Sequence, residues 1–556
     1  MNLFNNPVVG NKFFAREREL NFLHRKVEDL KNGYRHNVAV LGKGLIGKSS
    51  LLLHFLSGLD TADVVPVYLD LSTLSFAGFV DQFIGMLLHY NYKDIENETS
   101  ADLQSLINLA SSDLPGTCKK IKIIYSHMKT ANKERAVFQE LLDLPPCFSK
   151  ESGKFCLIVF DNFSKLTDYK LGEPFSILGE KIMLQKMSLY ILSDRPYINL
   201  RNILSQQLSL LFGKFQMFDL EPFSPHESLA FIDSRVKDVK LSAELKDFLV
   251  YFSGGEPFYL DILTESISIK AGEKKLLVVT QKDLSRFIYE CIYARFASVN
   301  QYFSRIVEKF SGNGYLKEPI KILNAVIRKN KIAAIIEDSK CSKAGIHKLL
   351  EKFIMQNMVI KNGPLYAIED EVFKMWLRLK EIEAIPQLKL DQRAHTEKFV
   401  NEIRQLIETF EKEQQRSIDN KILNLIAAFD NEKVTVGKAA HILPVFKHIH
   451  TEYTTSQDAL LSGHGTKLWI FSIFKKMAEE DDILNFIDYY KKLKHRVARK
   501  VLIILNGITP EAKLLAMKEH IWIWSSDRLN SLLNLYRKAR IGTQRNAPFL
   551  KAKGEV

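Results

Sequence analysis

The run Gly42-Lys43-Gly44-Leu45-Ile46-Gly47-Lys48-Ser49 fills every fixed position of the pattern G-x-x-x-x-G-K-[ST]. Glycines at those places let backbone N–H groups turn inward around phosphate oxygens; the lysine reaches the β and γ phosphates and the hydroxyl serves Mg²⁺. Lys48 and Ser49 take these last two roles, and Ser50 opens the segment that follows. The chemistry to expect is the binding of ATP with Mg²⁺. A loop that binds nothing is the competing explanation, and the flanking sequence argues against it. Val38 to Leu41 reads as a buried strand before the loop and Ser50 to Leu56 as a helix after it, which would present its positive end to the phosphates.

Other groups must come from neighbouring strands. The apolar run Phe155 to Asp161 ends in a carboxylate, and Asp161 is the expected second Mg²⁺ contact beside Ser49. Asn162 follows it. Its amide cannot accept a proton as a general base, so nucleotide binding is the safer expectation and rapid hydrolysis is not predicted. The run Ser188 to Arg195 offers Ser193 and Arg195 as groups that could sense the γ-phosphate, although a strand ending in a turn at Pro196 has the same pattern. Further on, Gly254-Gly255-Glu256-Pro257 breaks one helix and starts another, with Pro257 in a permitted first-turn position.

A chain of 556 residues calls for three or four domains, and its 46% hydrophobic content can supply each with a core. Its apolar runs stay short of the ~18 residues a membrane span needs, and the N-terminus lacks a charged segment followed by an apolar one. No membrane contact is expected, and a cytoplasmic location is. The five cysteines are an odd number without close pairs, which predicts neither a disulfide framework nor a zinc site. The net charge of +13 suits nucleic acid but does not demand it.

As an ordered set, these elements resemble the archaeal-type ATPases of the STAND group within the AAA+-like P-loop proteins. The likeness begins at Phe13-Phe14-Ala15-Arg16-Glu17-Arg18-Glu19-Leu20, where Ala15 replaces the family's common glycine. It continues through the strand ending at Asp161, the strand carrying Ser193 and Arg195, and the segment Leu220 to Ser224. Gly254, Gly255 and Pro257 match the family's Gly-Gly-x-Pro signature, which implies that Pro257 lies near the nucleotide. The matches cover roughly residues 1 to 380, and Asn162 stands where the family usually has glutamate. The resemblance implies an α/β P-loop NTPase domain with a parallel sheet over residues 1–220, followed by a helical lid over 221–310. It also implies self-association when ATP is bound.

Residues 311–380 read as a winged helix. Ile322 to Ile327 and Ile332 to Ile336 have helical spacing, Lys343 to Leu350 occupies the recognition-helix position, and Val359 to Ile368 is a hairpin with an Asn-Gly turn. In a DNA-binding version Lys343, His347 and Lys348 would face the groove and Lys361 would meet phosphate. The alternative is an arm that packs on the rest of the chain. A charged amphipathic helical linker over 381–430 leads to the last domain, 431–556.

That last domain resembles restriction-endonuclease-like domains of the Mrr type, an α/β fold. The resemblance rests on Thr455 to Leu461, Lys467 to Lys476, Val501 to Ala512, Ile521 to Ser525 and the closing helix Leu529 to Tyr536. Active nucleases of that fold pair a carboxylate on one strand with Glu-x-Lys on the next. Asp458 fits the first position, but Ser472 and Phe474 hold the Glu and Lys slots, which implies a nuclease fold without its chemistry. The run Lys491, Lys492, Lys494, His495, Arg496, Arg499, Lys500 suggests a basic helix, with Lys491, Lys492 and Arg496 as candidate phosphate contacts.

The expected function is an ATP-binding, slowly hydrolysing switch acting on DNA or a DNA-associated complex. Two alternatives are a nucleotide-gated protein scaffold that never touches nucleic acid and an ATP-dependent nuclease in genome defence.

Overall fold

The computed structural model describes residues 7–92, 102–194, 200, 203–207, 215–294, 297–311, 317–383, 392–437, 439–453, 459–464, 468–493 and 497–541. The chain divides into two compact units: residues 1–223 with 256–258, and residues 224–255 with 259–556.

The first unit is built on five strands, β1 (Asn37–Leu41), β2 (Val64–Asp70), β3 (Phe155–Asp161), β4 (Ser188–Ser193) and β5 (Phe215–Asp219), in the order β2-β3-β4-β1-β5. Every pairing is parallel. Alternation along each strand sends side chains to opposite faces. Val38, Val40, Leu157, Val159, Leu189 and Ile191 enter one core with the helices Glu17–Lys31 and Lys48–Ser57. Ala39, Leu41, Ile158, Phe160, Tyr190 and Leu192 enter the other. Burial on both faces is why β1, β3 and β4 are nearly continuously apolar and not alternating.

Within the stretch 92–150, where the sequence has little readable pattern, residues 102–150 supply part of that second core. The helices Leu103–Ala110, Pro115–Met128, Glu134–Leu142 and Leu144–Ser152 place Ile107, Ile121, Ile124, Phe138 and Phe148 in it. Three of these helices are only eight or nine residues long, so each offers about two turns over which a periodic pattern could show.

The second unit starts with the helices Pro225–Arg235 and Ala243–Ser253 and takes in the helix Pro257–Glu273 from Tyr259 on. Ser224 and Glu227 form a reciprocal capping box at the first of these, so the segment after Phe223 has a defined start. Three helices, Lys317–Arg328, Ile332–Ser339 and Lys343–Met355, precede an antiparallel hairpin of β6 (Ile360–Asn362) and β7 (Leu365–Ala367). After the helices Glu371–Glu383, Gln392–Gln415 and Ile418–Ile426 comes a ribbon of β8 (Glu432–Val436) and β9 (Ala439–Leu443).

The last sheet runs β10 (His448–Tyr453), β11 (Ala459–His464), β12 (Leu468–Phe474), β13 (Val497–Ile504), β14 (Trp522–Ser525) in that spatial order. The first three strands are antiparallel neighbours and the last three are parallel. Ile422, Leu425 and Ile426 share a core with Phe471, Val501, Ile503 and Trp524. The helix Ile418–Ile426 therefore belongs with the sheet, and the boundary expected at 431 lies inside a packed region.

The basic run differs from its expectation. Lys491 ends the helix Glu480–Lys491, whereas Arg499 and Lys500 lie on β13; Lys494 to Arg496 lie outside the described residues. The run is not a single helix, because Val497, Val501, Leu502, Ile503 and Ile504 form a β-rich apolar segment that captures the second half of it. Lys500 donates to the Glu519 carbonyl at 2.7 Å and sits over the Tyr490 ring, and Arg499 lies over Trp522.

Candidate nucleotide site at the carboxyl end of the parallel sheet

The loop leaves β1 and turns sharply into the helix Lys48–Ser57. Gly42 sits at φ 154°, and a Cβ there would press on Ile46 and on the Leu220 carbonyl at 3.0 Å each. Gly47 adopts the left-handed region at φ 95° as the cap of the helix, and Leu45 does the same at φ 65°. Gly44 and Lys43 complete the turn, with Lys43 exposed and Ile46 buried. The N-terminus of the helix thus lies at the loop, where its dipole would stabilise a phosphate anion.

Lys48 is buried, and its ammonium donates to the carbonyls of Gly42 and Lys43 at 2.7 Å. Ser49 Oγ donates to Asp161 Oδ2 at 2.5 Å, and Ser193 Oγ donates to Asp161 Oδ1 at 2.5 Å. Asp161 is only 2% exposed and accepts a third bond from the Tyr68 hydroxyl at 2.9 Å. A buried carboxylate requires such partners to remain charged. The Tyr68 hydroxyl is held well above its ordinary pKa by burial and then by Asp161, so it stays protonated and donates.

This geometry fits a hard divalent cation served by few protein oxygens. Ser49 and Asp161 would hold Mg²⁺, which neutralises phosphate charge when bound and commonly keeps several waters. Among the described residues no cluster of three or more His, Cys, Asp or Glu side chains suits a metal elsewhere.

Asn162 lies in the left-handed region at φ 54°, and its Nδ2 donates to Asp70 Oδ1 at 2.7 Å. Asp70 and Tyr68 were not anticipated. Both sit on β2, and Asp70 pairs in register with Asp161 on the adjoining strand. A strand ending in aspartate beside a second one was the available signal. Ser50 Oγ faces away from this cluster and accepts from the Val8 N–H at 3.0 Å. Arg195 lies outside the described residues, as do Asp458 and Arg496.

Pro257 is the first residue of its helix, preceded by Gly254 and Gly255 at φ 62° and 74°, and the short piece 256–258 groups with the first unit. The Phe13 to Leu20 segment is folded onto that unit. Phe13 stacks on His54 at 4.0 Å, and Arg16 donates to the Glu221 carbonyl at 2.6 Å while covering the Phe223 ring. Ala15 is left-handed at φ 55°, which explains why glycine suits that position.

The other candidates are scattered. Lys343, His347 and Lys348 are exposed on the helix Lys343–Met355, Lys361 is exposed on β6, and Lys491 and Lys492 are exposed at a distant helix end. On β12, Ser472 and Phe474 are buried, and Lys475 beyond them is paired with Asp419 at 2.8 Å.

A loop of this form at the carboxyl end of a parallel sheet is the core of a P-loop NTPase fold. No family model matches the chain, and no curated protein matches it. Among solved structures it is similar to the Walker-type ATPase of Pyrococcus abyssi, at 18% identity and a TM-score of 0.45 over 67% of this chain and 99% of that one. It is also similar to the ORC2 protein of Aeropyrum pernix in its ADPNP-ADP complexes, at 10% identity and a TM-score of 0.44 over 68% of this chain and 98% of that one. A third similarity is to the ORC1 protein of Aeropyrum pernix in complex with DNA, at 11% identity and a TM-score of 0.38 over 72% of this chain and 95% of that one.

Proposed function

We propose that the chain is an ATP-binding switch of low turnover, of the STAND or AAA+ kind, whose nucleotide state governs its association with DNA or a DNA-bound complex. The observation that carries this reading is the set Ser49–Asp161–Ser193 joined at 2.5 Å beside a buried Lys48. Low turnover follows from Asn162, whose amide donates to Asp70 and offers no base to an attacking water. ATP held by residues 42–50, with Pro257 as a further contact, would favour one of two arrangements of the chain, and loss of nucleotide the other.

The DNA surface in this proposal is the exposed row Lys343, His347 and Lys348 of a winged helix over 311–380, with Lys361, Lys491 and Lys492 as supplementary phosphate contacts. The C-terminal sheet would be nuclease-like in descent and non-cutting, because Ser472 and Phe474 occupy the Glu and Lys slots. One observation favours a second reading, a nucleotide-gated protein scaffold. The tip of the β6–β7 hairpin is engaged by β8: Asn362 Nδ2 donates to the Thr435 carbonyl at 2.9 Å and Thr435 N donates to Asn362 Oδ1 at 2.6 Å.

The test is ATP binding and turnover by the full chain and by Lys48→Ala, each with and without duplex DNA at two salt concentrations. Binding that falls at least about tenfold in Lys48→Ala, slow hydrolysis, and a salt-sensitive effect of DNA support the switch. No ATP binding, or rapid turnover, overturns it; ATP binding indifferent to DNA selects the scaffold.

A further inference from the structure

A cavity of about 610 Å³ lies within the second unit, well apart in sequence from residues 42–50. Its wall draws on the helices Ala243–Ser253, Lys317–Arg328, Glu371–Glu383, Gln392–Gln415, Ile418–Ile426 and the segment ending at Arg540. Its volume falls in the range of small-molecule sites, about 300–1,000 Å³.

The charge of that wall is lopsided. Lys374, Arg378, Arg416, Lys421, Arg537 and Arg540 line it against the carboxylates of Glu371 and Glu413 alone. Glu371 is used by Lys374 at 2.8 Å and by Arg540 at 4.0 Å, and Glu413 by Arg416 at 2.9 Å. Arg378, Lys421 and Arg537 have no carboxylate within ion-pairing distance among the described residues. Lys421 is 5% exposed, and its ammonium reaches only the Arg540 carbonyl at 3.4 Å. Burial holds the Lys421, Lys374 and Arg537 side chains below their ordinary pKa values.

A second, independent observation points into the same space. Asn534 is 6% exposed and lines the cavity; its Oδ1 accepts from Lys374 at 3.2 Å, while its Nδ2 has no hydrogen-bond partner. An orphaned buried donor beside uncompensated cations is costly unless an anion completes it. The lining also includes apolar and aromatic groups, with Tyr251 stacked on Phe410 at 4.9 Å, and with Val326 and Leu406.

We infer that this cavity is a second ligand site, for a small anion bearing two or more phosphate groups, with Asn534 and the uncompensated guanidinium and ammonium groups as its donors. Arginine forks match phosphate oxygens in pairs, which is why several guanidinium groups around one cavity favour phosphate over carboxylate. The concave, partly aromatic wall favours a discrete molecule over a continuous nucleic-acid backbone.

The experiment uses the full chain carrying Lys48→Ala, so that the first unit's loop is weakened as a phosphate site. Tripolyphosphate and ADP are titrated calorimetrically against this chain and against versions adding Arg378→Glu with Arg537→Glu, both exposed positions, or Lys421→Met. Expected are binding of at least one probe, a loss of affinity of tenfold or more in both added variants, and a higher unliganded Tm for Lys421→Met. Tighter binding of ADP assigns the Tyr251–Phe410 wall to a base, and equal binding assigns the site to the phosphate chain; both outcomes support the inference. No binding to Lys48→Ala, unchanged binding in the arginine variants, or a response of those variants to duplex DNA alone overturns it. Failure here leaves the switch proposal standing, since that rests on Lys48 and is read by ATP turnover.

Discussion

Asn162 shows how one side chain can oppose the chemistry its position suggests. A glutamate there would lose the amide bond to Asp70, face a like charge, and occupy a backbone conformation that asparagine tolerates better. Asn162→Glu alone is expected to lose about 1–3 kcal/mol of stability by denaturant unfolding. Combined with Asp70→Asn, it is expected to fold normally and to raise ATP turnover at least about tenfold, measured by phosphate release. At the other end of the unit, Ala15→Gly is expected to stabilise the chain by about 0.5–1 kcal/mol, because it relieves a left-handed alanine at the cost of some unfolded-state entropy. Lys48, Ser49, Asp161 and Ser193 were legible in the sequence because each belongs to a motif or ends an apolar strand. Tyr68 and Asp70 have a weaker signal, a second strand ending in aspartate, and their contacts with Asp161 and Asn162 depend on the β2–β3 register.

At the scale of elements, the β6–β7 hairpin was predicted by its Asn-Gly turn, but its docking was not. A Cβ on Gly363 would fall 1.9 Å from the Lys433 carbonyl oxygen, at a φ of 60°. Gly363→Ala is therefore expected to cost about 2–4 kcal/mol, from the clash and the left-handed backbone together. Limited proteolysis after β9 would read the loosened ribbon. Such contacts join segments far apart in sequence, so spacing alone cannot announce them. The ribbon also carries a pH response. His441 packs on Trp522 at 3.9 Å, and burial, followed by the nearby Arg499, holds its pKa below the usual 6.5. A depressed histidine pKa means that protons favour the unfolded chain. Its contribution is complete above pH 6.5 and is lost as pH falls through the lower folded value. Stability–pH curves of wild type and His441→Phe should converge in shape above 6.5 and separate below it.

For the molecule as a whole, the order of motifs suggests five successive domains, whereas contacts divide the chain into two compact units, and the packing inside the second has no local signal in the sequence. Leu365 and Ala367 of the hairpin share one core with Ile422, Phe471, Trp524, Leu529 and Tyr536. Lys331 bridges to Asp430 and Glu432, and Asn330 donates to the Leu535 carbonyl at 2.9 Å. The three helices, the hairpin and the C-terminal sheet thus unfold together in this account, and one cooperative transition is expected for them in calorimetry. Among the described residues no helix is long and apolar enough to cross a membrane.

The shared core around Leu365 also sets a schedule for biosynthesis. The hairpin leaves the ribosome well before Leu529 and Tyr536, and at ordinary translation rates the delay is on the order of ten seconds. Throughout that interval its apolar face has only part of its cover, from Ile422, Leu425 and Phe429 but not from Leu529 and Tyr536. A nascent polypeptide stalled before β12 would present the rest of that face to chaperones, and its release from them would wait on the segment from β12 to Tyr536.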